Sequence, residues 1–263
     1  MGTQGQLAVV TGASSGIGRA TAAALVQEGW RVVGVARRQE RLEALDDELK
    51  HARGRLIVEA LDASDGDAVI AMARRIRESE GVPEVLINSA GAGAWLYIEE
   101  TPPHDAERMM GAPFKAAYNM SHAFMRGMLD RDRGLIIHVG SPASIMPWPG
   151  ATAYICSRWA LRGLHEALCM DLAGTGLRSS HVLFGKVSSE YFEANTDSEQ
   201  HIPTIANIIP VSTPEVCASI LQEVIRRPRR DVFYPPMLRA FDLVNHLAPS
   251  LVRALVTRTG RQR

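Results

Sequence analysis

The chain has 263 residues, 46% of them hydrophobic, with 29 Lys+Arg against 29 Asp+Glu. That is enough for one large α/β domain or two small ones, and the charge balance removes any bulk electrostatic case for nucleic acid. The three cysteines, Cys156, Cys169 and Cys217, are odd in number and scattered; they fit a reducing compartment and neither a disulfide framework nor a zinc site. No apolar run is long enough to span a bilayer and residues 1–6 lack the regions of a signal peptide, so the cytoplasm is the expected location.

Leu7-Ala8-Val9-Val10 reads as a buried strand closed by a glycine-rich turn. A helix is expected over 17–28, with Ala20, Ala24 and Leu25 inward, then a strand over 31–36 and a helix over 41–50. A third strand follows over 56–61 and a third helix over 67–80. Strands at 85–88 and 135–139 flank a long helix over 107–128. A helix over 153–172 and a strand over 180–184 complete the alternation. This order predicts an α/β fold: a doubly wound, mostly parallel sheet of about seven strands with helices on both faces. No linker or repeat divides the chain, so residues 1–263 are expected to form one domain. Residues 188–212 are polar and broken by Pro203 and Pro210, as a mobile lid or specificity segment would be. Residues 237–260 read as a helical extension interrupted at Pro249. Its apolar side (Leu238, Phe241, Leu243, Val244, Leu247, Leu251, Leu255, Val256) suits a partner subunit or the protein's own pocket better than a membrane surface.

Thr11-Gly12-Ala13-Ser14-Ser15-Gly16-Ile17-Gly18 links the first strand to the first helix. Glycines there let the backbone approach a pyrophosphate, and the helix N-terminus offers N–H donors. Three glycines alone are a weak signal; between a strand and a helix they are a strong one. The second strand ends in Ala36-Arg37-Arg38, where an acidic residue would bind a ribose 2′-hydroxyl. Two guanidinium groups suit a 2′-phosphate instead, which favours NADP(H) over NAD(H). The bland alternative is that Arg38 starts a solvated helix.

Tyr154-Ile155-Cys156-Ser157-Arg158 places a phenol and a cation four residues apart on one helical face. A cation beside a phenol stabilises the phenolate and readies it for proton transfer. With the glycine turn, Asn88-Ser89-Ala90-Gly91, and Ser141 thirteen residues before Tyr154, the chain resembles the short-chain dehydrogenase/reductase family in its main single-domain branch, from about residue 7 to 187. The resemblance implies that Gly12, Ser14, Ser15, Gly16, Ile17 and Gly18 hold the pyrophosphate. Asp62 would meet the adenine, and Ala63, Asn88, Ala90 and Gly91 would also belong to the cofactor site, with Asn88 tethering the central sheet. Gly185, Val187 and Ser189 would follow at the carboxamide. Tyr154 would be the acid/base, Ser141 would orient the carbonyl, and Arg158 would support ribose and phenolate. It also implies a homodimer or homotetramer built on the long helices.

Three positions depart from the family pattern. Arg158 replaces the lysine, Pro113 stands where the relay asparagine belongs, and Phe184 precedes Gly185 in place of proline. Arginine keeps its proton and cannot easily pass one along a relay. Two accounts fit: reprotonation by solvent or by His138, Lys115 or Lys186, or an NADP(H)-binding protein with little catalysis. His138 otherwise reads as a core histidine, while His122 and His165 read as surface or interface residues. Ala94-Trp95-Leu96-Tyr97, Ile145-Met146-Pro147-Trp148 and Tyr191-Phe192 are candidates for a pocket taking a small hydrophobic carbonyl or alcohol.

Overall fold

A computed structural model describes residues 5–91, 93–193 and 198–260. β1 (Leu7–Thr11) is buried throughout, as a central parallel strand covered on both faces must be. It pairs with β2 (Arg31–Ala36) on one side and β4 (Val85–Asn88) on the other. β3 (Arg55–Ala60) lies beyond β2 at one edge; β5 (Gly134–Gly140), β6 (Leu177–Phe184) and β7 (Asp231–Tyr234) extend the other side. All six pairings are parallel, in the order β3-β2-β1-β4-β5-β6-β7. The direction of winding reverses between β1 and β4, which opens a crevice at their carboxyl ends.

The helices form a layer on each face. Leu25 and Val26 of α1 (Gly16–Glu28) and Leu42 and Leu45 of α2 (Gln39–Glu48) pack into one core with Ala8, Val10 and Val32. On the opposite face α3 (Gly66–Ser79) contributes Val69, Met72 and Ile76 to a second core. Asp65 starts α3 by accepting hydrogen bonds from the Asp67 and Ala68 amides.

Where one helix is expected over 107–128, the chain forms α4 (Pro103–Met110), a π-helical turn (Gly111–Lys115) and α5 (Ala116–Asp130). The Ala116 N–H reaches back five residues to the Gly111 carbonyl. Pro113 lacks a donor, and the widened turn takes it in so that helix continues on either side. α6 (Thr152–Asp171) then carries Tyr154 and Arg158 below the ends of β4 and β5. The short helix α7 (Glu190–Glu193) follows β6. α8 (Pro214–Arg226) and β7 have no counterpart among the expected elements; α8 is capped by Thr213, whose hydroxyl accepts from the Val216 amide, and packs on α1. The chain ends in α9 (Met237–Leu247) and α10 (Pro249–Thr259).

A row of three histidines fills the space between β5, β6 and α6. His138, His165 and His181 are fully buried, which places His165 in the interior and not on a helix surface. The His165 ring stacks on His181 at 5.5 Å and meets His138 edge-on at 6.1 Å. His165 Nδ1 lies 2.8 Å from Ser179 Oγ, and His138 Nδ1 lies 3.4 Å from Asn88 Nδ2. Burial, reinforced by the neighbouring His165, pushes His138 down to about 3. Burial also takes His165 to about 4, against the pull of Glu166. His181 lies well below the ordinary histidine range for the same first reason.

These rings stay neutral in the folded chain while the unfolded chain protonates below about pH 6.5. The unfolded state therefore binds more protons as pH falls from about 6.5 towards about 4, and each histidine removes up to about 1.4 kcal/mol of stability per pH unit. The urea midpoint is expected to drop steeply between pH 7.5 and 5. The imidazole proton resonances of these three residues should stay flat over that range; three titrating resonances would refute a neutral row.

Candidate active site

The crevice at the switch point deepens into a cavity of about 1200 Å³. Its floor is the turn between β1 and α1, where Gly12, Ser15, Gly16, Ile17 and Gly18 face the cavity. Gly12 has φ +71°, and a Cβ on it would lie 3.0 Å from the Ser89 carbonyl oxygen. Only glycine lets the turn lie so close to the end of β4. Thr11 Oγ1 accepts from the Ser89 and Ala90 amides at 3.0 Å each, so these two ends are fastened together. Ser14 is buried beneath the turn.

Arg38 lies over this turn. Its guanidinium donates to Ser14 Oγ at 3.0 Å and Ser15 Oγ at 2.8 Å. Arg37 also faces the cavity but is exposed, and its charge acts on Asp62. Asp62 opposes the cost of partial burial with bonds from Ser64 N and Oγ, both 2.8 Å, and these with Arg37 and Lys115 hold its carboxyl below the usual range. Asp62 and Ala63 stand at the end of β3, outside the cavity lining, as do Asn88 and Ala90. A further contact was not foreseen from sequence: Glu190 on α7 pairs with Arg41 and lies 4.0 Å from Arg38. It sets a carboxylate from the segment after β6 against the cationic end of the crevice.

At the other end, Ser141, Tyr154 and Arg158 meet Gly91, Gly185, Val187 and Ser189 around one space. Ser141 leaves β5 and caps a 3-10 turn (Pro142–Ser144), its Oγ accepting from the Ala143 amide at 3.3 Å. Tyr154 is buried, and the Arg158 guanidinium carbon lies 5.1 Å from its ring centroid. Such a cation over a phenol is worth about 0.5–2 kcal/mol, more as water is excluded. Arg158 donates to the Val139 carbonyl at 3.2 Å, and its Nε is buried with no protein partner. A Cβ at Gly91 would come within 2.7 Å of Arg158 Nη2, so a side chain there would displace the guanidinium from its present position.

Aromatic rings enclose Tyr154. Trp95 lies 5.2 Å from it, Trp148 6.5 Å and Tyr191 6.4 Å, centroid to centroid. Trp95 Nε1 donates to Tyr191 Oη at 3.2 Å, and that hydroxyl donates to the Gly93 carbonyl at 2.9 Å. Burial, with the nearby Tyr154 second, pushes Tyr191 well above the usual phenol range, so it acts as a fixed neutral strut. The side chain of Phe192 lies outside the described residues. Of the basic groups considered for reprotonation, His138 is sealed in the histidine row and Lys115 lies in the π turn. Lys186 lines the cavity and pairs with Glu199. No group of three or more metal-ligating side chains occurs among the described residues.

This geometry is that of a doubly wound dinucleotide fold with a Ser–Tyr–cation cluster at its switch point. Residues 6–200 match the short chain dehydrogenase family, and the chain belongs to it. A short chain dehydrogenase of Pseudocercospora fijiensis is 36% identical over 191 residues, covering 71% of this chain and 61% of that protein. The chain thus spans about three fifths of that relative's length. A sulfoacetaldehyde reductase of Chromohalobacter salexigens is 35% identical over 195 residues, covering 73% of this chain and 76% of that one. Among solved structures, a short chain dehydrogenase/reductase from Burkholderia phymatum in complex with NAD superposes with a TM-score of 0.83 at 25% identity, over 96% of this chain and 97% of that one. A metagenomic short-chain oxidoreductase in complex with NADP does so at 0.75 and 29% identity, over 89% and 96%.

The Arg38 contacts make a direct prediction. In calorimetric titration Arg38→Ala should lose roughly tenfold or more in NADPH affinity while leaving NADH binding within about twofold. An equal loss for both cofactors would show that Arg38 only braces the turn.

Proposed function

We propose that the protein is an NADP(H)-dependent oxidoreductase that reduces an apolar carbonyl, or oxidises the matching secondary alcohol. The observation that carries this reading is a buried phenol, Tyr154, held in an aromatic enclosure with a guanidinium over its ring. The glycine floor, too close to β4 for a Cβ at Gly12, and the Arg38 fork suit a dinucleotide with a 2′-phosphate. Ser14, Ser15, Gly16, Ile17, Gly18, Arg37 and Arg38 would hold its phosphates. Asp62 would meet its adenine; Ala63, Asn88, Ala90 and Gly91 would also belong to its site, and Gly185, Val187 and Ser189 would meet its nicotinamide half. NADP and NAD both occur among the similar structures, so the preference rests on the arginines.

NADPH, when held by these residues, would supply a hydride. The proton chemistry belongs to the chain. Tyr154 gives its phenolic proton to the substrate oxygen, and Ser141 Oγ donates a hydrogen bond to the same oxygen as negative charge develops there. Arg158 favours the resulting phenolate by its fixed charge. Trp95 and Trp148 offer apolar walls to the substrate. Residues 188–193 and 198–212 are proposed as a cover over the cavity, anchored by Tyr191 and Glu190; residues 194–197 of the expected segment lie outside the described residues. Exposed Tyr118, Leu129, Trp159 and Met170 on α5 and α6 support a homo-oligomer through those helices. No helix among the described residues is long and apolar enough to cross a membrane, and a cytoplasmic location is proposed.

A second reading, an NADP(H)-binding protein with little turnover, is favoured by a specific pair of features. Arg158 is bound to the Val139 carbonyl, and Pro113 occupies the π turn where the family pattern has its relay asparagine. The two are separated by mutation. Tyr154→Phe should lower the rate of carbonyl-dependent NADPH oxidation by at least about a hundredfold while NADPH affinity stays within about threefold; an unchanged rate removes Tyr154 from the reaction. The double variant Arg158→Lys, Pro113→Asn should lose rate if the site is adapted to arginine. A gain of about tenfold or more in the double variant would favour the low-turnover reading.

A further inference from the structure

The two C-terminal helices form a hairpin with two unlike faces. Leu238, Phe241 and Val256 point inward and line the roof of the cavity. The hairpin is fixed there: Asn245 Nδ2 donates to the Ile145 carbonyl at 3.1 Å and Thr204 Oγ1 to the Thr259 carbonyl at 3.4 Å. The outward face is apolar and uncovered. Exposure is greatest beside the turn between the helices, 77% at Leu247 and 66% at Leu251, and declines away from it to 57% at Leu243, 44% at Val244 and 42% at Leu255. The apolar residues are therefore most exposed at the hairpin's tip, the turn between its helices.

The exposed charges of the hairpin have one sign: Arg253 lies in the first half of α10, and Arg239 and Arg258 lie at the ends of α9 and α10 away from the turn. The hairpin's sole carboxylate, Asp242, is buried and lies 3.5 Å from the Arg239 guanidinium and 3.5 Å from His246 Nδ1. The whole chain has no net charge, so this is a local departure. A second copy of the chain is a poor occupant. A twofold contact sets a patch against itself, and arginines would face arginines with no exposed carboxylate between them. An anionic lipid surface answers both features, with leucines entering the acyl boundary and arginines meeting phosphates.

We propose that the outward face of the α9–α10 hairpin docks the protein on an anionic bilayer surface. Because the same hairpin roofs the cavity, docking brings the cavity beside the lipid. The consequence for substrate supply, that apolar carbonyls partitioned in the bilayer are taken directly, rests on the reading of Tyr154; the docking itself does not.

Co-sedimentation of the full chain with vesicles tests it without any turnover. Binding to phosphatidylcholine vesicles containing phosphatidylglycerol should exceed binding to phosphatidylcholine alone by roughly tenfold and fall in high salt. Leu247→Asp with Leu251→Asp should lose about tenfold, and Arg253→Glu with Arg258→Glu a similar amount. All four side chains are exposed, so thermal midpoint and NADPH affinity should match the unaltered protein, and the arginine variant serves independently if the leucine variant does not fold. Absence of binding to anionic vesicles, or undiminished binding by both variants, would overturn the proposal. So would a drop in solution mass on light scattering for the Leu247→Asp, Leu251→Asp protein, which would assign the tip to a second copy.

Discussion

The Thr11 hydroxyl holds the carboxyl ends of β1 and β4 together, and the geometry of the site builds outward from that junction. By accepting both the Ser89 and Ala90 amides it draws the second segment over Gly12, where φ is +71° and a Cβ would stand 3.0 Å from the Ser89 carbonyl oxygen. The chain then runs on to Gly91, whose bare Cα gives Arg158 its place. Arg158 in turn stands over Tyr154. Ser89, Ala90, Arg158 and Tyr154 thus depend on one hydroxyl and two absent side chains. This is a packing constraint before it is a chemical one: close-packed interiors pass a sub-ångström error on to their neighbours.

An arginine beside the phenol, where the family resemblance leads one to expect a lysine, offers a different kind of cation. An ammonium reaches a point and rotates its three donors, whereas a guanidinium presents a flat fork. Here the fork spends one arm on the Val139 carbonyl and lays its plane near the phenol ring. A guanidinium in this place holds its charge beside the phenol and keeps its own proton. The aromatic neighbours act in the same direction, because an enclosure of indole and phenol rings lowers the local dielectric and strengthens the remaining electrostatic contact.

Much of the fold could be read from the chain. Buried parallel strands are continuous apolar runs, and Leu7-Ala8-Val9-Val10 or Leu135-Ile136-Ile137 admit little else. The glycine turn, Ser141 and the Tyr154–Arg158 spacing are local patterns, so their place in the crevice was also legible. What escaped was non-local or short. β7 has four residues and follows a run of arginines, leaving no periodicity to detect. The π turn depends on a single widened hydrogen bond around Pro113, which sequence presents simply as a helix breaker. His138, His165 and His181 lie far apart in the chain and become a row only when α6 crosses β5 and β6. The division of labour between Arg37, acting at a distance on Asp62, and Arg38, bonded to the turn, follows from side-chain direction, which adjacent identical residues cannot reveal.

The placement of the tryptophans has an optical consequence. Trp95 and Trp148 stand 5.1 Å apart at an interplanar angle of 59° in the wall of the cavity, while Trp30 is buried in the core beside α1 and Trp159 faces outward on α6. Transition dipoles this close and this inclined couple, so the pair should give an exciton couplet in circular dichroism. The protein therefore carries its own spectroscopic reporter at the site, with a separate emitter in the core for folding and another at the surface for solvent.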